Sequence, residues 1–240
     1  MIKKKVLITG CSGAIGREMV SNFYKKKYIV IGVDKFSPNS KKGLDFFAKC
    51  NLSSDTEVNK LFKKIEKKYK SIDIIINCVG HIHNELLVNH NKKFIFHSYK
   101  NWKKTIDNNL NNVFIITRNF IKLLMNSRSH KKLIINFSSV NSKGVVGQSA
   151  YSASKKAIEV LTKIWSHELA PFKIRVASIA PGYIELDSTN KKLNKNKKEK
   201  IISEIPLKKF GEIKSIINGI NFIVNNNYFN GKTLNIDGGL

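Results

Sequence analysis

Acidic residues are scarce in this chain. Asp and Glu number 17 against 43 Lys and Arg, a formal net charge of +26. Arginine is scarcer still, confined to Arg17, Arg118, Arg128 and Arg175, so the positive charge is almost all lysine. Proteins that read nucleic acid lean on arginine forks for bases and phosphates. A lysine surplus with runs such as Asn225-Asn226-Asn227 reads instead as drift on solvated faces, of the kind an AT-rich coding sequence produces. Nucleic acid is therefore not the expected partner, although a basic rim favours an anionic substrate. Cysteine is limited to Cys11, Cys50 and Cys78, with no spaced pair, so neither a disulfide scaffold nor a cysteine zinc site is expected and a reducing cytoplasm fits. No apolar run approaches the roughly 18 residues of a membrane span. The apolar stretch after Met1 is too short for the core of a signal peptide and runs straight into a glycine loop. What is present, 42% apolar and 10% aromatic residues over 240 positions, is a globular composition with room for one large core.

Apolar runs alternate with amphipathic stretches. Strands are expected at Lys5–Thr9, Tyr28–Asp34, Ile72–Cys78, Leu133–Ser138, Ile174–Ala180 and Thr233–Ile236. Helices are expected at Gly16–Lys27, Glu57–Tyr69, Trp102–Met125, Ser152–Leu169 and Glu212–Val224. Such alternation implies an α/β fold, a single doubly wound parallel sheet of the Rossmann type with helices on both faces, spanning 1–240 as one domain. The Lys/Asn-rich stretch Asn190–Lys200 reads as a mobile loop or a loose surface helix beside a cleft.

Thr9-Gly10-Cys11-Ser12-Gly13-Ala14-Ile15-Gly16 follows the first strand and opens the first helix. Phosphate recognition needs that context, because glycines admit the ligand to the backbone and the helix N-terminus offers free N–H groups and positive potential. Asp34 ends the second strand, 18 residues past Gly16, about where a ribose-binding carboxylate belongs. It would accept from both ribose hydroxyls and repel a 2′-phosphate, which favours NAD over NADP. Lys35 follows directly and partly offsets the acid.

Three Tyr-x-x-x-Lys matches occur, Tyr99/Lys103, Tyr151/Lys155 and Tyr228/Lys232, and in so lysine-rich a chain roughly one is expected by accident. Only Tyr151 stands at a helix start shortly after a Ser-Ser that ends a strand. Tyr99 is placed in a loop before Trp102, and Tyr228 in a polar turn. Residues four apart share a helix face, so Tyr151 and Lys155 both point toward the strand ends, where doubly wound sheets bind ligands. A free tyrosine titrates near 10, and a neighbouring ammonium is expected to lower that value.

On these residues the sequence resembles the short-chain dehydrogenase/reductase family over essentially its whole length. The glycine loop resembles that family's Thr-Gly-x-x-x-Gly-x-Gly, with Ala14 in place of the middle glycine. Asn77-Cys78-Val79-Gly80 resembles its Asn-Asn-Ala-Gly turn, Asn109-Leu110 its helix asparagine, and Ser138-Ser139 with Tyr151-Ser-Ala-Ser-Lys155 its catalytic set. Pro181-Gly182, Ile205-Pro206-Leu207, Phe210-Gly211-Glu212 and Asp237-Gly238-Gly239 match later signatures. The resemblance implies that Tyr151 exchanges the proton with the substrate oxygen. Lys155 would tune Tyr151 and hold the nicotinamide ribose, Ser139 would hydrogen-bond the reacting oxygen, and Asn109 would anchor a proton-relaying water. It further implies a cofactor site at Gly10, Ser12, Gly13, Ala14, Ile15, Gly16, Asp34, Asn51, Leu52, Asn77, Val79, Gly80, Pro181, Gly182 and Ile184, besides Tyr151 and Lys155. Ser138 and Ser139 lie 13 and 12 residues before Tyr151, and strand alternation sends their side chains to opposite sides. Register favours Ser139, and Asn109 over Asn108.

The departures bear on the substrate. Asn51 stands where relatives often have an adenine-contacting Asp, and Leu186 where many have a Thr. The stretch from His81 to Ser98 is about seven residues longer than the common pattern, and long loops of this kind usually carry function. Segments near 81–101 and 184–205 are the expected substrate loops. His81, His83, His90 and His97 fall in the first of them; without a His-x-x-x-His on a helix no metal is expected. Cys11 reads as a small buried filler, and Trp102 and Trp165 as packing residues.

The expected activity is NAD(H)-linked interconversion of a secondary alcohol and its ketone by a cytoplasmic enzyme. Two narrower readings stand beside it. A 3-oxoacyl carrier-protein reductase is suggested by Gly147-Gln148 and the basic surface; a sugar or surface-polysaccharide dehydrogenase is suggested by the long polar loop. A catalytically silent binding protein is the alternative from another class. Relatives are commonly dimers or tetramers that pair the long helices, and Val113, Phe114 and Ile121 are candidates for an outer apolar stripe.

Overall fold

A computed structural model describes residues 3–89, 94–125, 132–186 and 194–240. Seven parallel strands form one sheet in the order β3-β2-β1-β4-β7-β8-β9. Their ranges are β1 Lys5–Thr9, β2 Ile29–Asp34, β3 Phe46–Lys49, β4 Ile74–Asn77, β7 Lys132–Phe137, β8 Ile174–Pro181 and β9 Thr233–Ile236. A separate antiparallel pair, β5 Val88–Asn89 and β6 Ile95–Phe96, lies in the long loop after β4. The helices are α1 Ala14–Lys25, α2 Asp55–Tyr69, α3 Tyr99–Ile106, α4 Asn112–Met125, α5 Ser149–Glu168, α6 Lys195–Glu204 and α7 Ile213–Asn225.

Strand alternation divides the core in two. Leu7, Ile31, Ile75, Ile134 and Val176 face one way and pack on Val58, Leu61, Phe62 and Ile65 of α2 and on Ile116 and Phe120 of α4. Val6, Ile8, Val30, Ile76, Ile135 and Ile179 face the other way and pack on Met19, Val20 and Phe23 of α1 and on Ile216, Ile220 and Ile223 of α7. The near-continuous apolar strands are thus explained by burial on both faces. Each fully buried side chain of this size contributes about 2 kcal/mol of transfer free energy.

Several boundaries depart from the sequence reading. Helix α1 begins two residues earlier than expected because Gly13 is its N-cap, and it ends before Lys27, which has φ +63°. Helix α2 also begins earlier, capped by Ser54, whose side chain accepts from the Glu57 N–H. Strand β3 was not expected; it is short, lies at the sheet edge, and shows no buried alternation. The expected long helix at Trp102–Met125 starts at Tyr99 and is interrupted by a π-helical turn at Asp107–Asn111. Tyr99 is therefore the first residue of α3 rather than part of a loop, with its side chain exposed. Tyr228 is fully exposed after α7, as its polar turn suggested. Of the Asn190–Lys200 stretch, residues 190–193 lie outside the described residues, as does His90; Asn194 caps α6. No helix among the described residues is long and apolar enough to cross a membrane.

The strand order reverses between β1 and β4. At that point the connections leaving β1 and β4 turn to opposite faces of the sheet, and a crevice opens at the carboxyl ends of the strands. Thr9 pairs with Asn77 across it. The Thr9 hydroxyl also accepts from the Cys78 N–H at 3.0 Å, tying the two loops together.

Candidate active site

The loop between β1 and α1 is shaped for close backbone approach. Gly10 has φ +71°, and a Cβ there would stand 3.2 Å from Val79 Cγ2. A Cβ on Gly16 would lie 2.0 Å from the Gly10 carbonyl oxygen, which no side chain can meet. These two glycines let α1 start directly behind the loop and aim its free N–H groups into the crevice. A cleft of about 610 Å³ opens there. Gly10, Ser12, Gly13, Ala14, Ile15 and Gly16 form its floor; Asp34, Asn51 and Leu52 line one end, and Val79, Gly80 and His81 the other. Leu186 and Lys35 also line it, and so do Phe36, Ser37 and Asn39, which the sequence did not single out although they follow closely on Asp34. This glycine cradle beside a carboxylate fits a dinucleotide.

Asp34 is buried, and its carboxylate accepts from two main-chain groups: the Ser12 N–H at 3.0 Å and the Phe36 N–H at 3.1 Å. A carboxylate has about four acceptor positions, so two remain for ribose hydroxyls. Lys35 Nζ lies 5.0 Å above the Phe36 ring centroid. Cys11 is buried against Gly32, and burial followed by the nearby Asp34 charge pushes its thiol up to about 11. That is a packing cysteine.

Tyr151 and Lys155 lie on the first turns of α5, and both are buried. Lys155 Nζ donates to the Phe137 carbonyl at 2.7 Å and stands 5.8 Å from the Tyr151 ring centroid. A Cβ on Gly80 would reach within 3.4 Å of Lys155 Nζ and 3.5 Å of Asn109 Oδ1, so the floor of the cleft abuts both. Burial lowers the Lys155 ammonium to about 8. Burial also raises the Tyr151 phenol above its ordinary value, against the opposing effect of a hydrogen bond with Ser139. The net shift of Tyr151 is thus upward, where a lowered value is expected beside an ammonium. The dominant influence is desolvation, because Tyr151 is only 7% exposed.

The two serines separate as strand alternation requires. Ser139 turns toward Tyr151, and its Oγ accepts from the Asn141 N–H at 3.2 Å. Ser138 turns away and donates to Glu159 Oε1 at 2.8 Å. The two asparagines also differ. Asn109 is fully buried in the π-helical turn and grips the His81 main chain, while Asn108 is half-buried on the cleft wall and donates to the Lys104 carbonyl at 2.7 Å. A π-turn is a frequent mark of a functional site, and here it rotates Asn109 inward.

Not every expected cofactor residue reaches the cleft. Asn77 is buried beneath it, donating to Asn136 Oδ1 at 2.9 Å. Ile184 turns into the core beside α7, and Gly182 backs onto Asp237. Pro181 ends β8. Val113 is buried and Ile121 packs on the core, so of the three outer-stripe candidates only Phe114 is exposed, together with Val160 and Ile164 of α5.

The long loop is organised by Glu85. Its carboxylate accepts from Asn101 Nδ2 at 3.1 Å, contacts His83 Nε2 at 3.2 Å and lies 3.5 Å from His97 Nε2. The Asn101 hydrogen bond is the chief cause that holds its carboxyl below the usual range. The Glu85 N–H donates to the Gly147 carbonyl at 2.8 Å, which lays the loop across the approach to α5 and Tyr151. His97 also meets the Trp102 ring edge-on at 6.0 Å, so Trp102 anchors this loop rather than the core. Trp165 packs against the sheet. Among the described residues, His, Cys, Asp and Glu form no group of three arranged to hold a metal.

Comparison with known proteins agrees with this geometry. The family model described as short chain dehydrogenase matches residues 4–198. The chain is 31% identical over 253 positions to the 3-oxoacyl-[acyl-carrier-protein] reductase of Staphylococcus epidermidis, covering 100% of this chain and 99% of that protein. A solved 4-hydroxyisoleucine dehydrogenase in complex with NADH superposes with a TM-score of 0.84 at 28% identity, covering 99% of this chain and 98% of the other. A short chain dehydrogenase from Leptospira borgpetersenii with bound NAD+ gives a TM-score of 0.87 at 26% identity, covering 99% and 92%.

Proposed function

The chain belongs to the short-chain dehydrogenase family, and we propose that it interconverts a secondary alcohol and its ketone with NAD(H), Tyr151 carrying the proton. That it is an oxidoreductase using a nicotinamide cofactor follows from the family and from its relatives. The observation that carries the narrower reading is the grouping of Tyr151 with Ser139 and Lys155, where Lys155 stands directly behind Gly80 of a glycine-floored cleft that also holds Asp34. A bound nicotinamide supplies or accepts the hydride.

The chain's own residues do the rest. The Ser139 and Tyr151 hydroxyls are neighbours, and on substrate binding each would turn its one O–H toward the same substrate oxygen. In reduction the phenol gives up its proton as the oxygen gains charge; in oxidation the phenolate takes it back. The Lys155 ammonium favours the phenolate and is in reach of a ribose hydroxyl at the cleft floor. Asn109, with both amide atoms on His81, orients the start of the substrate loop. Gly10, Ser12, Gly13, Ala14, Ile15 and Gly16 would take the pyrophosphate, and Asp34 the ribose. Asn51, Leu52, Val79 and Gly80 would line the cofactor.

Asp34 supports NAD as the preferred cofactor, since its charge opposes a 2′-phosphate. The second reading, NADP, rests on Lys35 at the same cleft wall. On the substrate side, the Glu85 cluster supports a polar ketone, as in the sugar-type reading; the relative from Staphylococcus keeps the 3-oxoacyl thioester reading open as the alternative. The net charge supports an anionic substrate in either case. Residues 1–240 are taken to work as one domain, with substrate loops near 81–101 and 184–205. The exposed Phe114, Val160 and Ile164 support a homo-oligomer paired through α4 and α5, and three free cysteines support a reducing cytoplasm. The test is a titration with NADH and with NADPH followed by nucleotide fluorescence. Tighter NADH binding is expected; tighter NADPH binding would assign the cofactor choice to Lys35, and binding of neither would remove the reading.

A further inference from the structure

Behind Ser139 lies a carboxylate that the proton transfer does not itself use. Glu159 stands one turn beyond Lys155 on the same side of α5. Its Oε1 accepts from Ser138 Oγ at 2.8 Å and from Ser142 Oγ at 2.7 Å, and its Oε2 accepts from Lys156 Nζ at 2.9 Å. Ser138 Oγ also lies 3.1 Å from the Lys155 carbonyl oxygen. Ser138 and Ser142 are both buried, and the Glu159 side chain is only 17% exposed.

The two serines bracket Ser139. Between them the chain makes a tight turn, in which the Ser142 N–H donates to the Ser139 carbonyl at 3.0 Å and the Asn141 N–H donates to Ser139 Oγ at 3.2 Å. One carboxylate oxygen therefore pins both ends of the turn that carries Ser139. It pins them to the helix that carries Tyr151 and Lys155. Burial works against the Glu159 charge, but the hydrogen bonds from Ser142, Lys156 and Ser138 outweigh it and hold the carboxyl below its ordinary value. Apolar contact would join strand to helix equally well. Directed hydrogen bonds also fix where the turn stands, and a displacement near 1 Å at reacting groups can cost about a hundredfold in rate.

We propose that Glu159 is a positioning residue for the Ser139–Tyr151 pair, setting through Ser138 and Ser142 where the Ser139 hydroxyl meets the Tyr151 phenol. This rests on the oxidoreductase reading above. Because the Ser139 hydrogen bond favours ionised Tyr151, releasing Ser139 moves the Tyr151 titration to higher pH.

The test compares Glu159→Ala, Glu159→Gln and Lys156→Ala in the full chain. Glutamine keeps an oxygen for the two serines and loses only the charge. Amide hydrogen exchange at Asn141 and Ser142 is measured on each. Steady-state rates are measured with NADH and a panel of β-keto esters, 3-oxoacyl thioesters and ketosugars. For Glu159→Ala, the expected result is faster exchange at both amides and a fall in kcat of roughly ten- to a hundredfold. The KM for NADH stays within about twofold, and the pH limb assigned to Tyr151 rises by about one unit, the size of one hydrogen bond to a charged group. Glu159→Gln restores most of the rate and the limb, and Lys156→Ala matches the wild type. If Glu159→Ala fails to fold, Ser142→Ala carries the same expectation at smaller size. Unchanged exchange at Asn141 and Ser142, or a rate lost without movement of the pH limb, overturns the proposal. If the wild type reduces nothing in the panel, the oxidoreductase reading fails separately, and amide exchange still decides whether Glu159 holds the turn.

Discussion

Asn109 holds the main chain of His81 from both sides: its Oδ1 accepts from the His81 N–H at 2.7 Å and its Nδ2 donates to the His81 carbonyl at 2.9 Å. The pair joins the π-helical turn to the first residue of the long loop after β4, directly beside Gly80 and Lys155. Replacing Asn109 with Ala removes two part-buried hydrogen bonds to the His81 main chain, at about 0.5–1.5 kcal/mol each. The expected outcome is lower thermal stability together with faster amide exchange over residues 81–89. A variant with unchanged exchange there would show that the loop start is held by other means.

The loop's second anchor is Glu85. Glu85→Ala removes the acceptor shared by Asn101 and His83 and loosens the loop, leaving the main-chain bond from residue 85 to the Gly147 carbonyl. The substrate KM is expected to rise by roughly three- to tenfold while the Kd for NADH stays unchanged, because loop order contributes to substrate closure and not to the glycine floor. Protonating the carboxylate acts in the same direction. Since hydrogen bonding holds Glu85 below the ordinary carboxylate range, the substrate KM is expected to rise only in acid beyond that range. Steady-state kinetics across pH check both statements.

Asp34 gives a prediction about the cofactor. Asp34→Ser removes the charge that opposes a 2′-phosphate and the acceptor for ribose. A hydrogen bond to a charged group is worth about 1.5–3 kcal/mol, so NADH binding weakens by roughly tenfold or more and the gap to NADPH narrows. Equal losses for both nucleotides would mean that Asp34 serves the loop, through Ser12 and Phe36, rather than the ribose.

Lys155 gives a prediction about stability. Its ammonium is lowered by burial from 10.5 to about 8, so the folded chain binds fewer protons there than the unfolded chain between those values. Below about pH 8 the buried charge costs stability in full; from there upward the cost is relieved until the unfolded lysine also loses its proton. Wild-type stability should therefore gain on the order of 1–3 kcal/mol over that window relative to Lys155→Met. Denaturant unfolding of the two proteins at pH 7 and pH 10 checks it.

Much of this was legible in the sequence because it is local. The glycine loop, Asp34 at a strand end and Tyr151 four residues before Lys155 are set by the period of one strand or one helix. The two-sided apolar strands announced the parallel sheet. What escaped depends on contacts between distant segments. The strand at Phe46–Lys49 is short and lies at the edge, without alternation. The π-turn at Asp107–Asn111 has an ordinary helical composition, and only its packing under His81 reveals it. Ser138 and Ser139 are indistinguishable by type and spacing; Glu159, one turn past Lys155, separates them by taking Ser138. Lys155 sits beside Tyr151 as its spacing implied, yet burial raises the phenol, and burial cannot be read from a four-residue motif.

The central claim is that Tyr151 exchanges the proton with the substrate oxygen in a reaction that uses NAD(H). The most direct measurement compares the wild type with Tyr151→Phe for NADH binding and for turnover of the ketone panel. The phenylalanine keeps the ring and removes only the hydroxyl, so NADH binding should be retained within about twofold while kcat falls by roughly 10²- to 10⁴-fold, the range of a lost general acid. Turnover by Tyr151→Phe at the wild-type rate would contradict the claim.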